Sequence, residues 1–359
     1  MLNGCKMGFA PLNPSYAKSN MARMRIGRRQ FTCLLGSAIL SAPRAVSQPR
    51  QLPLIGHLHA ATAESYASDA AGFAQGLEEQ GFVEAQNLAV DYRFANGQLD
   101  RLAMLAADLV RRPVALIVAG GAAAARAARA ATATIPIVAI SGFDLARLGL
   151  AASLDRPGGN VTGVTFITAG LMSRRLGFVR ELVPGTTTIG YLAEDRRAYA
   201  SDAALLDAIE ERRREIRTAA EALGWQIIVA EIGSNRDYDA TFTKFAERHV
   251  DALVVAPSAA FASDADDIVA LTLRHEIPTI FERRADVVAA GLISYGASRP
   301  DAWRQAGIYV GQILNGAKPA DLPVLQSPGL ELVINQTIAK SLGLTIPPSL
   351  LGQADEIVR

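Results

Sequence analysis

The chain has 359 residues, 50% of them hydrophobic and 20% charged, with a formal net charge of +1. That length accommodates two domains, and the composition is that of a globular body, not a disordered or fibrous chain. Its two cysteines, Cys5 and Cys33, both lie near the N-terminus, so everything beyond them lacks disulfides, thiol nucleophiles and thiolate metal ligands.

Residues 1–47 differ from the rest of the chain. They contain seven Lys or Arg (Lys6, Lys18, Arg23, Arg25, Arg28, Arg29 and Arg44) and no Asp or Glu. Arg28-Arg29-Gln30-Phe31 leads into an apolar run over 31–42, and Ala45-Val46-Ser47 comes next. Basic region, apolar core and small residues at a cleavage point are the order of a secretory signal. The adjacent arginines match its twin-arginine variant. The apolar run is shorter than the ~20 residues that span a bilayer, which argues against an anchor, and no later segment is apolar enough to cross a membrane. Met24 offers an alternative start. Without 1–47 the formal charge falls from +1 to −6. A mildly acidic body has no electrostatic footprint for nucleic acid.

In the body, 52–58 (LPLIGHL) reads as a short apolar strand. Ala71, Ala74 and Leu77 at helical spacing, with Phe73 alongside, place a helix at 70–80, stopped by Gly81; 87–94 alternates as a second strand. A helix over 100–111 carries Leu102, Leu105, Ala106 and Leu109 on one face. A continuous apolar strand at 114–119 ends in Gly120-Gly121, and an alanine-rich helix covers 122–133. The next strand, 135–140, ends in Ser141-Gly142-Phe143-Asp144. Near-continuous apolar strands separated by helices predict a parallel, doubly wound sheet covered on both faces.

Such sheets bind ligands at the carboxyl ends of their strands. Those ends are Leu58-His59-Ala60, Gly120-Gly121-Ala122 and the 141–144 loop. Backbone N–H groups opening a helix at 121 and 122 suit a carboxylate or phosphate; a glycine pair that merely permits a tight turn is the plain alternative. For His59 the alternative to a ligand contact is an ordinary surface-loop histidine.

The chain then breaks at Asp155-Arg156-Pro157-Gly158-Gly159-Asn160, a turn that neither a helix nor a central strand tolerates, and resumes as a β-branched strand over 161–166. Beyond it the strand–helix cycle repeats, so this stretch reads as a passage between two similar lobes. A helix at 170–182 precedes a strand at 188–193 ending in Glu194-Asp195. In the long helix at 202–223, Glu210-Glu211-Arg212-Arg213-Arg214-Glu215 reads as a solvated face with i,i+4 pairing. Strands at 225–232, 252–256, 278–282 and 291–296 are interleaved with helices at 238–249 and 264–275. The strand-end groups of this lobe are Glu194, Ser258, Glu282 and Tyr295. A helix at 299–314, a proline-bearing link at 318–323, a strand at 331–335 and a helix at 336–342 form a tail that returns across the interface. Two lobes with several crossings make a hinge, with the cleft as the default ligand site.

Catalytic signatures are absent. There is no HExxH, GxSxG, GxGxxG or GxxxxGK[ST], and His57, His59, His249 and His275 lack metal-ligand spacing. Glu194, Asp195 and Glu282 could pair as acid and base across the cleft of a hydrolase-like enzyme, although strand-end carboxylates are common without that role.

Several stretches together resemble the ABC-transporter substrate-binding proteins related to the tryptophan/tyrosine-binding group. They are the RRQF signal, Gly81-Phe82-Val83-Glu84-Ala85-Gln86-Asn87, the crossing motif at 155–163, and Ser294-Tyr295-Gly296-Ala297 followed by Arg304-Gln305-Ala306-Gly307-Ile308-Tyr309-Val310-Gly311. Lys318-Pro319-Ala320-Asp321-Leu322-Pro323 and Glu331-Leu332-Val333-Ile334-Asn335 complete the set. The similarity runs from about Arg28 to the C-terminus. It implies an α/β fold, with two doubly wound parallel-sheet lobes joined by a hinge, type I periplasmic-binding-protein-like. Lobe 1 would be 52–163 plus 294–325, and lobe 2 would be 164–293 plus 326–359.

The resemblance also implies a periplasmic, monomeric protein with no catalysis and no cofactor, metal or nucleic-acid partner. Its small-molecule ligand is clasped in the cleft, and the closed form docks on an ABC permease in the inner membrane. The best-known members bind an aromatic amino acid. The expected carboxylate site is the backbone N–H groups of Gly121 and Ala122 with the loop Ser141, Gly142 and Phe143. Ser258, Glu282 and Glu194 are expected at polar groups, Phe143 or Tyr295 stacked on an apolar part, and His59 at the first strand end. The chain departs from the family at two cleft-lining places. Glu194-Asp195-Arg196-Arg197-Ala198-Tyr199 replaces an asparagine- and proline-rich loop, and Gly120-Gly121-Ala122-Ala123 is bare. Arg196 or Arg197 facing the cleft would suit an acidic ligand; an exposed loop arginine is the alternative. A sensor feeding a membrane receptor would share this fold. So would a sugar-repressor-like regulator, which needs a DNA-binding segment where this chain has its export signal.

Overall fold

The computed structural model describes residues 52–166, 170–327 and 329–359. The expected export signal and Met24 lie outside the described residues. The first half runs β1 (Leu54–His59), α1 (Ala63–Glu78), β2 (Ala89–Phe94), α2 (Leu102–Val110), β3 (Leu116–Gly120), α3 (Ala122–Ala131), β4 (Ile137–Ser141) and β5 (Val161–Phe166). The second runs α4 (Leu171–Leu182), β6 (Thr188–Glu194), α5 (Ala203–Ala222), β7 (Gln226–Ile232), α6 (Tyr238–Glu247), β8 (Ala252–Val255), α7 (Ala259–Ser263), α8 (Ala265–Arg274), β9 (Thr279–Phe281), α9 (Arg284–Val288) and β10 (Ile293–Ala297). Then come α10 (Arg299–Leu314), β11 (Leu325–Ser327), β12 (Leu330–Asn335), α11 (Gln336–Ser341), α12 (Pro348–Leu351) and β13 (Glu356–Val358).

The strands form two sheets, ordered β11-β5-β4-β3-β1-β2 and β13-β12-β10-β9-β8-β6-β7. Each contains the doubly wound order in which the first strand is flanked by the second and third, so the architecture repeats. The described pairs are parallel except β10 with β12. Strands β3, β4 and β5 are buried along their whole length, which is why β3 and β4 are near-continuously apolar; in β5 the buried Thr162 hydroxyl donates to the Leu322 carbonyl at 2.7 Å. Apolar clusters cover both faces of the first sheet, and another occupies the second lobe.

The crossings fall between strands. Tyr295 pairs with Leu332 in the second sheet and Ser294 with Phe281, so β10 does not belong to lobe 1 as expected. The chain returns to the first lobe after Ala297, where α10 lies along α1. Likewise β5 and β11 each stay whole in the first sheet, paired over Leu325–Ser327. Boundaries at 163/164 or 325/326 would cut that ladder. Helix α1 begins earlier than its apolar spacing predicts, because Thr62 caps it by accepting the Ser65 N–H at 3.2 Å. Tyr66 and Asp69 in that added turn are buried.

Candidate functional site

In a doubly wound sheet the crevice opens where the first and third strands carry their connections to opposite faces. Here those strand ends are His59 and Gly120 in one lobe and Glu194 and Val255 in the other. A cavity of about 170 Å³ lies between them, walled by both lobes.

The first-lobe wall is built by close approach. A Cβ on Gly120 would stand 2.1 Å from His59 Cδ2, so only glycine fits beside that ring. Gly121 has φ +103° as the N-cap of α3, and its N–H donates to the Ile140 carbonyl at 2.8 Å. Ala122 and Ala123 follow on the cavity wall in the first turn of α3, whose cap offers no side-chain hydrogen bond. First-turn N–H groups have no intrahelical acceptor and carry the positive end of the helix dipole, so they suit an anion.

A polar end adjoins it. His59 is buried, and its Nδ1 accepts the Ala61 N–H at 3.1 Å. Burial, and then the charges of Arg299 and Arg283, hold its pKa down to about 3. The ring is therefore neutral with its proton on Nε2, a donor. Arg299 donates to Asp69 through Nε (3.0 Å) and Nη2 (2.6 Å), with its guanidinium over Phe166. Arg283 pairs with Asp286 at 3.0 Å. Among the described residues Glu282 Oε2, Arg283 Nε and Trp303 Nε1 are buried without a hydrogen-bond partner, which leaves an acceptor and two donors at this end of the cavity.

The other end is apolar, lined by Leu99, Phe143, Tyr199, Leu205 and Ile209. Arg212 crosses from α5 to stack over Phe143 at 4.3 Å and donates to the Gly142 carbonyl at 3.4 Å. A cation on an aromatic face here joins the two lobes directly.

The sequence profile described as ABC transporter substrate binding protein matches residues 59–358. The chain belongs to that family. Among curated proteins, the tyrosine-binding protein of Clostridioides difficile (strain R20291) is 23% identical over 76% of each chain. An ABC domain from Streptococcus pneumonia, solved in complex with L-Trp, is 27% identical with a TM-score of 0.74, covering 86% of this chain and all of its own. A conserved domain protein from Vibrio cholerae, 24% identical over the same shares with a TM-score of 0.75, has the same fold.

In this family member the cavity brings together His59, Gly121, Ala122, Gly142, Phe143, Ser258 and Glu282 of the expected set. Ser141, Glu194 and Tyr295 do not line it. Ser141 is fully buried, its hydroxyl accepting the Phe143 N–H at 2.9 Å, so that amide is engaged within the loop. Gly121 N–H is engaged in the same way, and the α3 amides next to the cavity are those of Ala122 and Ala123. Glu194 stands behind the wall. Tyr295 belongs to the second lobe, where its ring meets Phe178 at 5.0 Å and its carbonyl accepts Arg175 Nε–H at 2.8 Å; strand pairing aims it away from the cavity. His59 is a buried strand residue, not a loop one. Arg196 and Arg197 are exposed, Arg197 held by Asp195.

Sequence reading missed Arg212, Arg283, Arg299 and Trp303. The 210–215 run is not a wholly solvated face, because Arg212 and Arg213 are buried. Arg213 donates to Glu231 at 2.5 Å and to the Glu194 carbonyl at 2.6 Å. The only local signal was three arginines in a row, which at 3.6 residues per turn cannot all face solvent on a packed helix.

Proposed function

We propose that this chain is the solute-binding component of an ABC importer. It clasps a small carboxylate-bearing molecule between its lobes and delivers it to an inner-membrane permease, acting as an exported periplasmic monomer without catalysis. The observation that supports this most directly is the interlobe cavity, walled by the carboxyl ends of both sheets with the uncapped start of α3 at one side. A solute carboxylate at the Ala122 and Ala123 amides, a cationic group at Glu282 and an apolar body against Phe143 and Tyr199 would match the wall group by group. The L-Trp complex and the tyrosine-binding relative favour an amino acid. Contacts from both lobes mean that the ligand stabilises the closed arrangement over an open one.

A thermal-shift screen of residues 48–359 against amino acids, small carboxylates, nucleobases and sugars tests this. A ligand at a hundred times its dissociation constant adds about 2.7 kcal/mol of stability. A clear upward shift without turnover of the compound supports the reading. Consumption of the compound, or no shift from any carboxylate, counts against it.

A further inference from the structure

Glu194 ends β6 behind the cavity wall, and its carboxylate holds a residue that does line the cavity. It accepts the hydroxyl of Tyr199, and Ser258 at the start of α7 lies beside it. The turn between Glu194 and Tyr199 is braced. Asp195 N–H donates to the Ile232 carbonyl at 2.9 Å, and Asp195 accepts both the Arg197 N–H (2.9 Å) and Arg197 Nε–H (2.7 Å). The Tyr199 carbonyl in turn accepts the Asp202 N–H that opens α5. With its backbone fixed on both sides and its hydroxyl tethered, the Tyr199 ring has little rotational freedom. It packs, with Ile209 and Phe143, against the first-lobe apolar cluster that includes Leu205.

We propose that Glu194 is a positioning residue that holds Tyr199 as a fixed aromatic wall, and that this wall selects solutes carrying a planar ring over branched aliphatic ones. The inference rests on the cavity being the solute site. A flat, immobilised ring rewards a flat partner through offset or edge contacts by about two- to tenfold in affinity beyond the area buried, whereas a branched chain gains only the area. Ser258 is oriented by its place at the cap of α7, its oxygen accepting the Ala260 and Phe261 N–H groups.

The test is the ratio of dissociation constants for L-leucine and L-tryptophan, by calorimetry, in the wild type and in Tyr199→Ala, Tyr199→Phe, Glu194→Ala, Glu194→Gln and the double alanine variant. We expect the wild type to prefer L-tryptophan. The preference should fall about tenfold in Tyr199→Ala and about threefold in Tyr199→Phe and Glu194→Ala. It should survive in Glu194→Gln, whose amide oxygen still accepts. Glu194→Ala should not lower it further once Tyr199 is alanine, because the two act as one unit. Tyr199→Phe removes only the tether and decides the matter if Glu194→Ala does not fold. Equal losses for both amino acids, or additive effects in the double variant, overturn the proposal. A wild type that binds an aliphatic or sugar solute and no aromatic one overturns the wall while leaving solute binding intact; binding to none of the screened solutes overturns both.

Discussion

Asp69 is 1% exposed, and the two hydrogen bonds from Arg299 are what make its burial tolerable. Removing one partner of a buried pair leaves an uncompensated charge, so Arg299→Met should cost about 3–5 kcal/mol in urea unfolding; Asp69→Asn/Arg299→Met together should recover part of that loss. His59 makes the opposite case, a group kept neutral. Its folded pKa of about 3 lies below the unfolded value near 6.5. Between these values the unfolded chain binds a proton that the folded chain refuses. Stability is complete above pH 6.5 and declines as pH falls, by about 1.4 kcal/mol per unit for one such group. His57, whose pKa is lowered by burial and then by His59, acts in the same direction. Urea midpoints taken from pH 7 to pH 5 should fall, and His59→Asn should flatten the slope. None of these burials was decided locally: Asp69 and His59 are packed against α10, which lies more than two hundred residues later.

That return is also what shapes α1 and α10 themselves. The glycines of α1, a residue type that ordinarily weakens a helix, are the contact. A Cβ on Gly76 would lie 1.9 Å from the Arg304 carbonyl oxygen, and one on Gly307 would lie 2.4 Å from that of Phe73. Gly76→Ala should therefore destabilise by about 1–3 kcal/mol through overpacking, although alanine is the better helix former by about 1 kcal/mol. Denaturant unfolding of this variant beside Gly177→Ala, where an added Cβ meets nothing within 4 Å, separates the two effects, and the second substitution should be neutral or stabilising. The strands and long helices were legible because their periodicity is strong. Several short elements were not. β11 and β13 are three residues each, and α7, α9 and α12 are one turn or little more, too short for any period. They exist because the edges and ends they fill are supplied by the other segments.

Across the whole body, the lobes touch through α5. Arg126 of α3 pairs with Asp202 at 2.5 Å and donates to the Leu148 carbonyl at 2.7 Å; Arg147 pairs with Glu211 at 2.7 Å. At the other side of the cleft Arg236, anchored on Asp264, donates to the Asn96 carbonyl at 3.0 Å. None of these groups lines the cavity, so they bear on closure and not on recognition. If solute binding requires the lobes together, Arg126→Gln should weaken every solute by the same factor, about two- to fivefold for a part-exposed pair. Raising the ionic strength should shrink the difference between variant and wild type. Calorimetry over several solutes checks both, and a change in the ratio between solutes would place Arg126 at the site instead.

The repeat of strand and helix, the turn at 155–160 and the family itself could be read from the chain, since each rests on neighbours within one or two turns of an element. Strand-end logic also reached the Gly120–Ala123 corner, Phe143, Ser258 and Glu282, because a parallel sheet puts its ligand crevice at one end whatever its side chains are. Which amide there is left for a ligand, which arginine of 212–214 turns inward, where β10 pairs and what stands behind the Tyr199 ring all depend on partners distant in sequence. Burial, hydrogen-bond competition and charge are properties of the packed neighbourhood, and that neighbourhood exists only once the two sheets have been brought face to face.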